Sequence, residues 1–194
     1  MNEPAATTTG LRGRAAAIGR RYAPRENRPL TGYLASMAVF TAAAATFAGL
    51  VRATGRSLPH RPAPADIALV SIATHKLSRL LTKEAVTSPL RAPFTRYQGP
   101  AGNAELHEEV RGDGGTTRHA VGELVSCPFC MSVWVAGALT GGLVLAPRAT
   151  RLAATALTAV TVSDFLQFAY AGVRRGEQRP PARHEQVDPA LSGA

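Results

Sequence analysis

Lysine is almost missing from this 194-residue chain: of 22 basic residues, only Lys76 and Lys83 are lysines, against 13 acidic residues. The net charge of +9 takes no form of a basic helix interleaved with aromatics, so nucleic acid is not an expected partner. Cysteine is scarce as well. Cys127 and Cys130 are the only two, too few to close a four-ligand zinc site without other donors. Charge is missing from long stretches: none in residues 30–51, none in 126–146, and in 152–173 only Asp164. Each run is 21 or 22 residues long, which at about 1.5 Å rise per residue matches the roughly 30 Å of a bilayer core.

What is present is segregated. Residues 1–29 and 174–194 are rich in Arg, Pro, Glu and Gln, a composition that buries too little apolar surface to offset ordering entropy, and both are expected to be disordered tails. The mean hydropathy of −0.01 averages these tails with the apolar runs. A cleavable signal peptide competes for the first run, through Ala43-Ala44-Ala45 and Arg20-Arg21. The long leader and the length of the run favour an uncleaved anchor instead.

Residues 66–85 are apolar in their first half and carry His75, Lys76, Arg79 and Lys83 in their second. Spacings of three and four put those four on one stripe of a helix, facing a bundle interior or water, with Lys and Arg stems able to snorkel. A surface-lying amphipathic helix is the alternative. Charge asymmetry favours a crossing. With four helices (about 30–51, 66–85, 127–146 and 152–173; cytoplasmic loop 86–126), fifteen basic residues fall on the side of the two tails and residues 82–126, against five opposite. The positive-inside rule then makes both termini cytoplasmic. The expected fold class is an all-α integral membrane protein whose lipid partner is the bacterial cell membrane.

In the cytoplasmic loop, Pro89, Pro93 and Pro100 predict extended or turned chain. Beyond them, ELHEEV and TTRHAV flank RGDGG, a tight-turn signal that predicts a β-hairpin over 105–121. The embedded Arg-Gly-Asp is read as turn chemistry, because a cytoplasmic turn meets no extracellular receptor.

Three blocks, THKLSRLLTKEAVTSPLRAPFTRYQGP (74–100), AVGELVSCPFCMSVW (120–134) and SDFLQFAYAG (163–172), resemble the bacterial membrane-protein family catalogued as domain of unknown function 1360. The resemblance covers roughly residues 66–172. It implies a membrane location and, for some members, an association with sporulation, but no reaction.

Cys127 suits a helix N-cap with Pro128 at the first helical position. Three readings of the pair stay open. Unpaired amides at a helix start favour a thiolate, which would make Cys127 the nucleophile and Cys130 the resolving thiol of an oxidoreductase. In the expected hairpin, His107 and His119 come near the pair and would complete a His/His/Cys/Cys zinc site. The blandest reading is two small buried thiols at a helix start. The intramembrane polar residues His75, Lys76, Arg79, Asp164 and Gln167 suggest either structural ion pairing or a small ion or solute pathway. Depth counting places Arg79 about 20 Å and Asp164 about 18 Å from the outer face, predicting an Asp164–Arg79 contact with Lys76 or His75 as substitutes. Gly137 and Gly141 form a small-residue face for packing within the bundle or for a homo-oligomer. Trp134, Tyr33 and Tyr170 suit an aromatic belt. The function expected is structural or assembly-related, with the thiol or metal chemistry and the pathway as alternatives.

Overall fold

A computed structural model describes residues 17–19, 21–23, 25, 28–112 and 115–177. Most of both expected tails, residues 1–16 and 178–194, lies outside the described residues, as do Asp113 and Gly114 of the expected tight turn. Residues 174–177 continue the last helix instead of beginning a tail.

Four long helices and a small cap make up the fold. Helix α1 is Leu30–Ala53, α2 is Pro64–Thr82, α5 is Pro128–Leu145 and α6 is Pro147–Glu177. Between α2 and α5 run a 3-10 turn at Ala85–Thr87, the one-turn helix α3 (Ser88–Arg91), strands β1 (Thr95–Pro100) and β2 (Leu106–Val110), and helix α4 (Gly115–Ser126). Proline opens α2 and α5, where its missing N–H costs no intrahelical bond.

Helices α1, α5 and α6 are long and apolar enough to cross a membrane, and only 6%, 6% and 11% of their apolar windows is buried within the protein. Their large side chains therefore point outward: Phe129, Phe165, Leu166 and Val133 are all more than half exposed. Helix α2 is the inner element. It packs against both α5 and α6, and the core gathers on it: Ala73 and Ala154, fully buried, let α2 and α6 approach, while Val135 and Leu139 close in from α5. At one end of α2, Asp66 forms a bidentate pair with Arg151 of α6 at 2.7 and 2.8 Å.

Helix α1 touches α5 by aromatic insertion: the ring of Phe40 meets Trp134 edge to face at 5.1 Å, and Phe40 and Phe47 pack on Gly137 and Gly141. The small-residue face of α5 is thus occupied within the chain. Gly32 performs the same service at the other end, where a Cβ would stand 2.3 Å from the carbonyl oxygen of Thr116 on α4.

The hairpin is displaced from the sequence expectation. Strands β1 and β2 pair antiparallel, Thr95 opposite Val110 and Tyr97 opposite Glu108, with an irregularity between Tyr97 and Gly99. ELHEEV supplies β2, but its partner precedes it, and TTRHAV is helical. The reason is packing. Gly122 on α4 sits where a Cβ would be 2.6 Å from Val110, so the segment after RGDGG lies across the sheet as a helix instead of extending it as a strand. The proline-rich stretch before the sheet is likewise more ordered than expected, forming the 3-10 turn and α3.

Candidate functional site

The cap is fastened to the end of α2 by an arginine. Arg91, 1% exposed, directs its guanidinium to Glu108 on β2 (Nε to Oε2 2.5 Å, Nη2 to Oε1 3.3 Å), to the carbonyls of Leu81 (3.0 Å) and Glu84 (3.1 Å), and to Thr87 Oγ1 (2.7 Å). A guanidinium has five N–H donors, and these contacts use them all. A cation there also complements the negative C-terminal end of α2. The backbone adds two bonds, Ala85 N–H to the carbonyl of Ala104 at 2.9 Å and Leu106 N–H to that of Lys83 at 2.8 Å. The β1–β2 turn is thereby held against α2. Ala104 adopts φ 62°, a left-handed conformation costly for an L side chain, and the bond from Ala85 maintains it.

Above this fastening lies a cleft of about 750 Å³ between α2, α6 and the turn 101–105. Lys76, 9% exposed, reaches into it and binds two carboxylates at once: Glu84 at the start of the cap and Asp164 Oδ2 on α6 at 2.9 Å. Arg79 pairs with Glu105 at 2.5 Å. The expected Asp164–Arg79 contact is therefore corrected: Lys76 takes Asp164, because Arg79, one turn further along, is within reach of the descending cap. Exposed His75 lines the same cleft, as does Gln167, whose amide donates to Ser163 Oγ at 3.4 Å.

The other candidates are dispersed. His107 is an exposed residue of β2 opposite Gly99, and His119 lies on α4, 3.5 Å from Glu123. The hairpin register that would have brought the two together is not adopted, and among the described residues no three His, Cys, Asp or Glu side chains gather as a metal set. Cys127 is the N-cap of α5, its sulfur accepting the N–H of Cys130 at 3.3 Å. Both thiols are free, Cys127 half-buried and Cys130 exposed. Tyr33, expected in an aromatic belt, donates its hydroxyl to Glu123, which Arg28 also approaches at 3.5 Å.

Over residues 69–170 the sequence matches the family model for a protein of unknown function, DUF1360. The chain belongs to that family. A sporulation protein of Bacillus subtilis (strain 168), YjcA, is 35% identical over 88 residues, covering 44% of this chain and 73% of that protein. No solved structure matches the chain. The DUF1360 region takes in the cleft, the cap, the cysteine pair and the core, and leaves α1 outside.

The residues that sequence reasoning missed are Glu84, Glu105, Glu108 and Arg91. Their signal was present, since acidic residues are few yet Glu84, Glu105, Glu108 and Glu109 all fall in one short span.

Proposed function

We propose that this DUF1360 protein is a four-helix membrane protein with both termini cytoplasmic, acting as a structural or assembly component and not as an enzyme. The observation that carries this reading is the double engagement of Lys76 by Glu84 and Asp164. The charges that keep α2 from resembling an ordinary membrane span are satisfied inside the protein, so α2 crosses as the buried member of the bundle. Four crossings also fit the excess of Arg on the side of the tails and the cap. The B. subtilis relative is named a sporulation protein, which supports spore formation as the process this component serves. A reporter fused after Gly176 should be active in the cytoplasm, and a membrane-impermeant thiol reagent should leave Cys130 unlabelled in intact cells. A periplasmic signal from the fusion would replace four crossings with three.

The free Cys130, one turn from the capping Cys127, favours a thiol chemistry as the second reading. Alkylation with metal analysis on purified protein separates its forms. A labile Cys127–Cys130 disulfide supports redox work, stoichiometric zinc with protected thiols supports a metal shared between copies, and inert metal-free thiols leave a helix cap.

A further inference from the structure

The cleft between α2, α6 and the cap is charged unevenly. Two cations, Lys76 and Arg79, face three carboxylates, Glu84, Glu105 and Asp164. Arg79 is matched by Glu105, so Glu84, Lys76 and Asp164 form a triad with one negative charge in excess. Among the described residues only Lys76 pairs with Asp164, through Oδ2 at 2.9 Å, and the Asp164 side chain is 38% exposed. Counting from the Asp66–Arg151 pair at the outer end, Asp164 lies about 20 Å in, the inner half of a hydrocarbon layer roughly 30 Å thick. An excess charge at that depth is expensive unless a net cation joins it. A divalent metal ion would overshoot the single charge. It would also take about six oxygen ligands, and no three His, Cys, Asp or Glu side chains among the described residues gather to supply them.

The excess charge borders a helix face that loses its cover. Ala154, Thr158 and Thr161, four and three residues apart, share one face of α6, and it is turned to α2. Ala154 is fully buried in the core with Ala73, and the Thr158 hydroxyl donates to the carbonyl of Leu69 at 3.5 Å. The same spacing carries that face on to Phe165, Phe168 and Gly172, where the cleft opens between α6 and the cap. Phe165 and Phe168 line the cleft with Asp164 and are 64% and 54% exposed, and a Cβ at Gly172 would meet nothing within 4 Å. Over about 10 Å of helix the strip offers apolar side chains and, at Gly172, room for a second backbone to come close.

We propose that the inner half of α6 docks a transmembrane helix of another protein, one that carries a single lysine or arginine facing Asp164. The proposal rests on the four-crossing reading and gives the assembly role a kind of partner. A lone basic side chain in a partner helix is as expensive in hydrocarbon as the excess carboxylate, and their contact relieves both at once. A second copy of this chain does not supply it: residues 30–51, 126–146 and 152–173 hold no basic residue, and Lys76 and Arg79 of α2 are already paired. Because Asp164 lies about 10 Å from the cytoplasmic edge, the partner's basic residue falls about seven residues from the cytoplasmic end of its apolar run, with its stem along Phe165 and Phe168.

The test reconstitutes the full chain in phosphatidylcholine vesicles with synthetic helical peptides of about 22 leucine and alanine residues, long enough to span. Each peptide bears lysine or glutamine about seven residues from one end and a photoactivatable residue one turn away. The lysine peptide should crosslink about tenfold more than the glutamine peptide, the ratio expected of one charge-assisted contact. On the wild-type chain the crosslinks should fall in the segment carrying Phe165 and Phe168, a result that needs no variant to fold. Asp164→Asn should erase the lysine preference. Gly172→Leu, whose side chain enters open space and leaves the charge triad untouched, should cut the yield by blocking the close approach. Equal crosslinking of the two peptides, a preference that survives Asp164→Asn, a yield unchanged in Gly172→Leu, or crosslinks confined to α1 would each overturn the proposal. So would dodecylamine displacing the lysine peptide as well as unlabelled peptide does, which would make the ligand an amphiphilic amine. The reporter fused after Gly176 tests the four-crossing reading on its own: a periplasmic signal removes that reading, whereas a cytoplasmic signal without lysine preference removes only the partner.

Discussion

The bundle and the cap bury opposite things. In the bundle, Phe129 is 85% exposed and Phe165 64%, while in the cap the largest fully buried side chain is an arginine. The difference follows from what surrounds each. On the proposed membrane reading, apolar side chains on α1, α5 and α6 lose nothing by facing hydrocarbon, so the bundle interior needs only small residues that let helices approach. The cap must instead cover the polar end of α2, whose last carbonyls have no intrahelical partner, and a guanidinium answers several of them at once.

The strongest way to break that contrast is at Arg91. Arg91→Met should lower stability in detergent by about 3–5 kcal/mol, because Glu108 is left buried and unpaired, and Arg91→Met with Glu108→Leu should lose less than Arg91→Met alone. Thermal melts of the two variants check it. Next comes the junction of the regions. Lys76→Met and Asp164→Asn should show a coupling of about 1–3 kcal/mol in a double-mutant cycle, while Arg79→Gln and Asp164→Asn should add independently. Finding the coupling with Arg79 would restore the contact that depth counting alone suggests. Ala104→Gly should act in the opposite direction, raising stability by about 1 kcal/mol through relief of the left-handed backbone, provided the bond from Ala85 persists. The smallest effect belongs to Asp66→Asn at the far end, where the Arg151 pair is open to solvent; its slight loss in melting temperature should vanish as salt is raised.

The bundle was the legible part. Runs without charge announce membrane-length helices directly, and 30–51 and 127–146 differ from Leu30–Ala53 and Pro128–Leu145 by at most two residues at any end. The cap was not legible in the same way. Asp-Gly and Gly-Gly mark a turn without saying whether a strand or a helix follows, and the choice at Gly115 was made by Gly122 meeting Val110, a contact distant in sequence. At the cleft, sequence placed the right layer and the wrong partner. Lys76 and Arg79 lie within one turn, so the carboxylate each takes depends on where the cap brings Glu84 and Glu105, and periodicity holds no record of that. The N-cap at Cys127 was readable because proline at the next position fixes the start of a helix locally.

Helix α4 ends at Ser126 and α5 begins at Pro128, so a single residue joins the cap to a bundle helix. Proline restricts φ on one side of that joint and the bond from Cys130 N–H to the Cys127 sulfur stiffens the other. A joint this short fixes the angle between the two helices. Because Gly32 also seats α1 directly on the backbone of α4, the placement of α1 is tied through α4 to that of α5, and a side chain at Gly32 would have to push α1 and α4 apart.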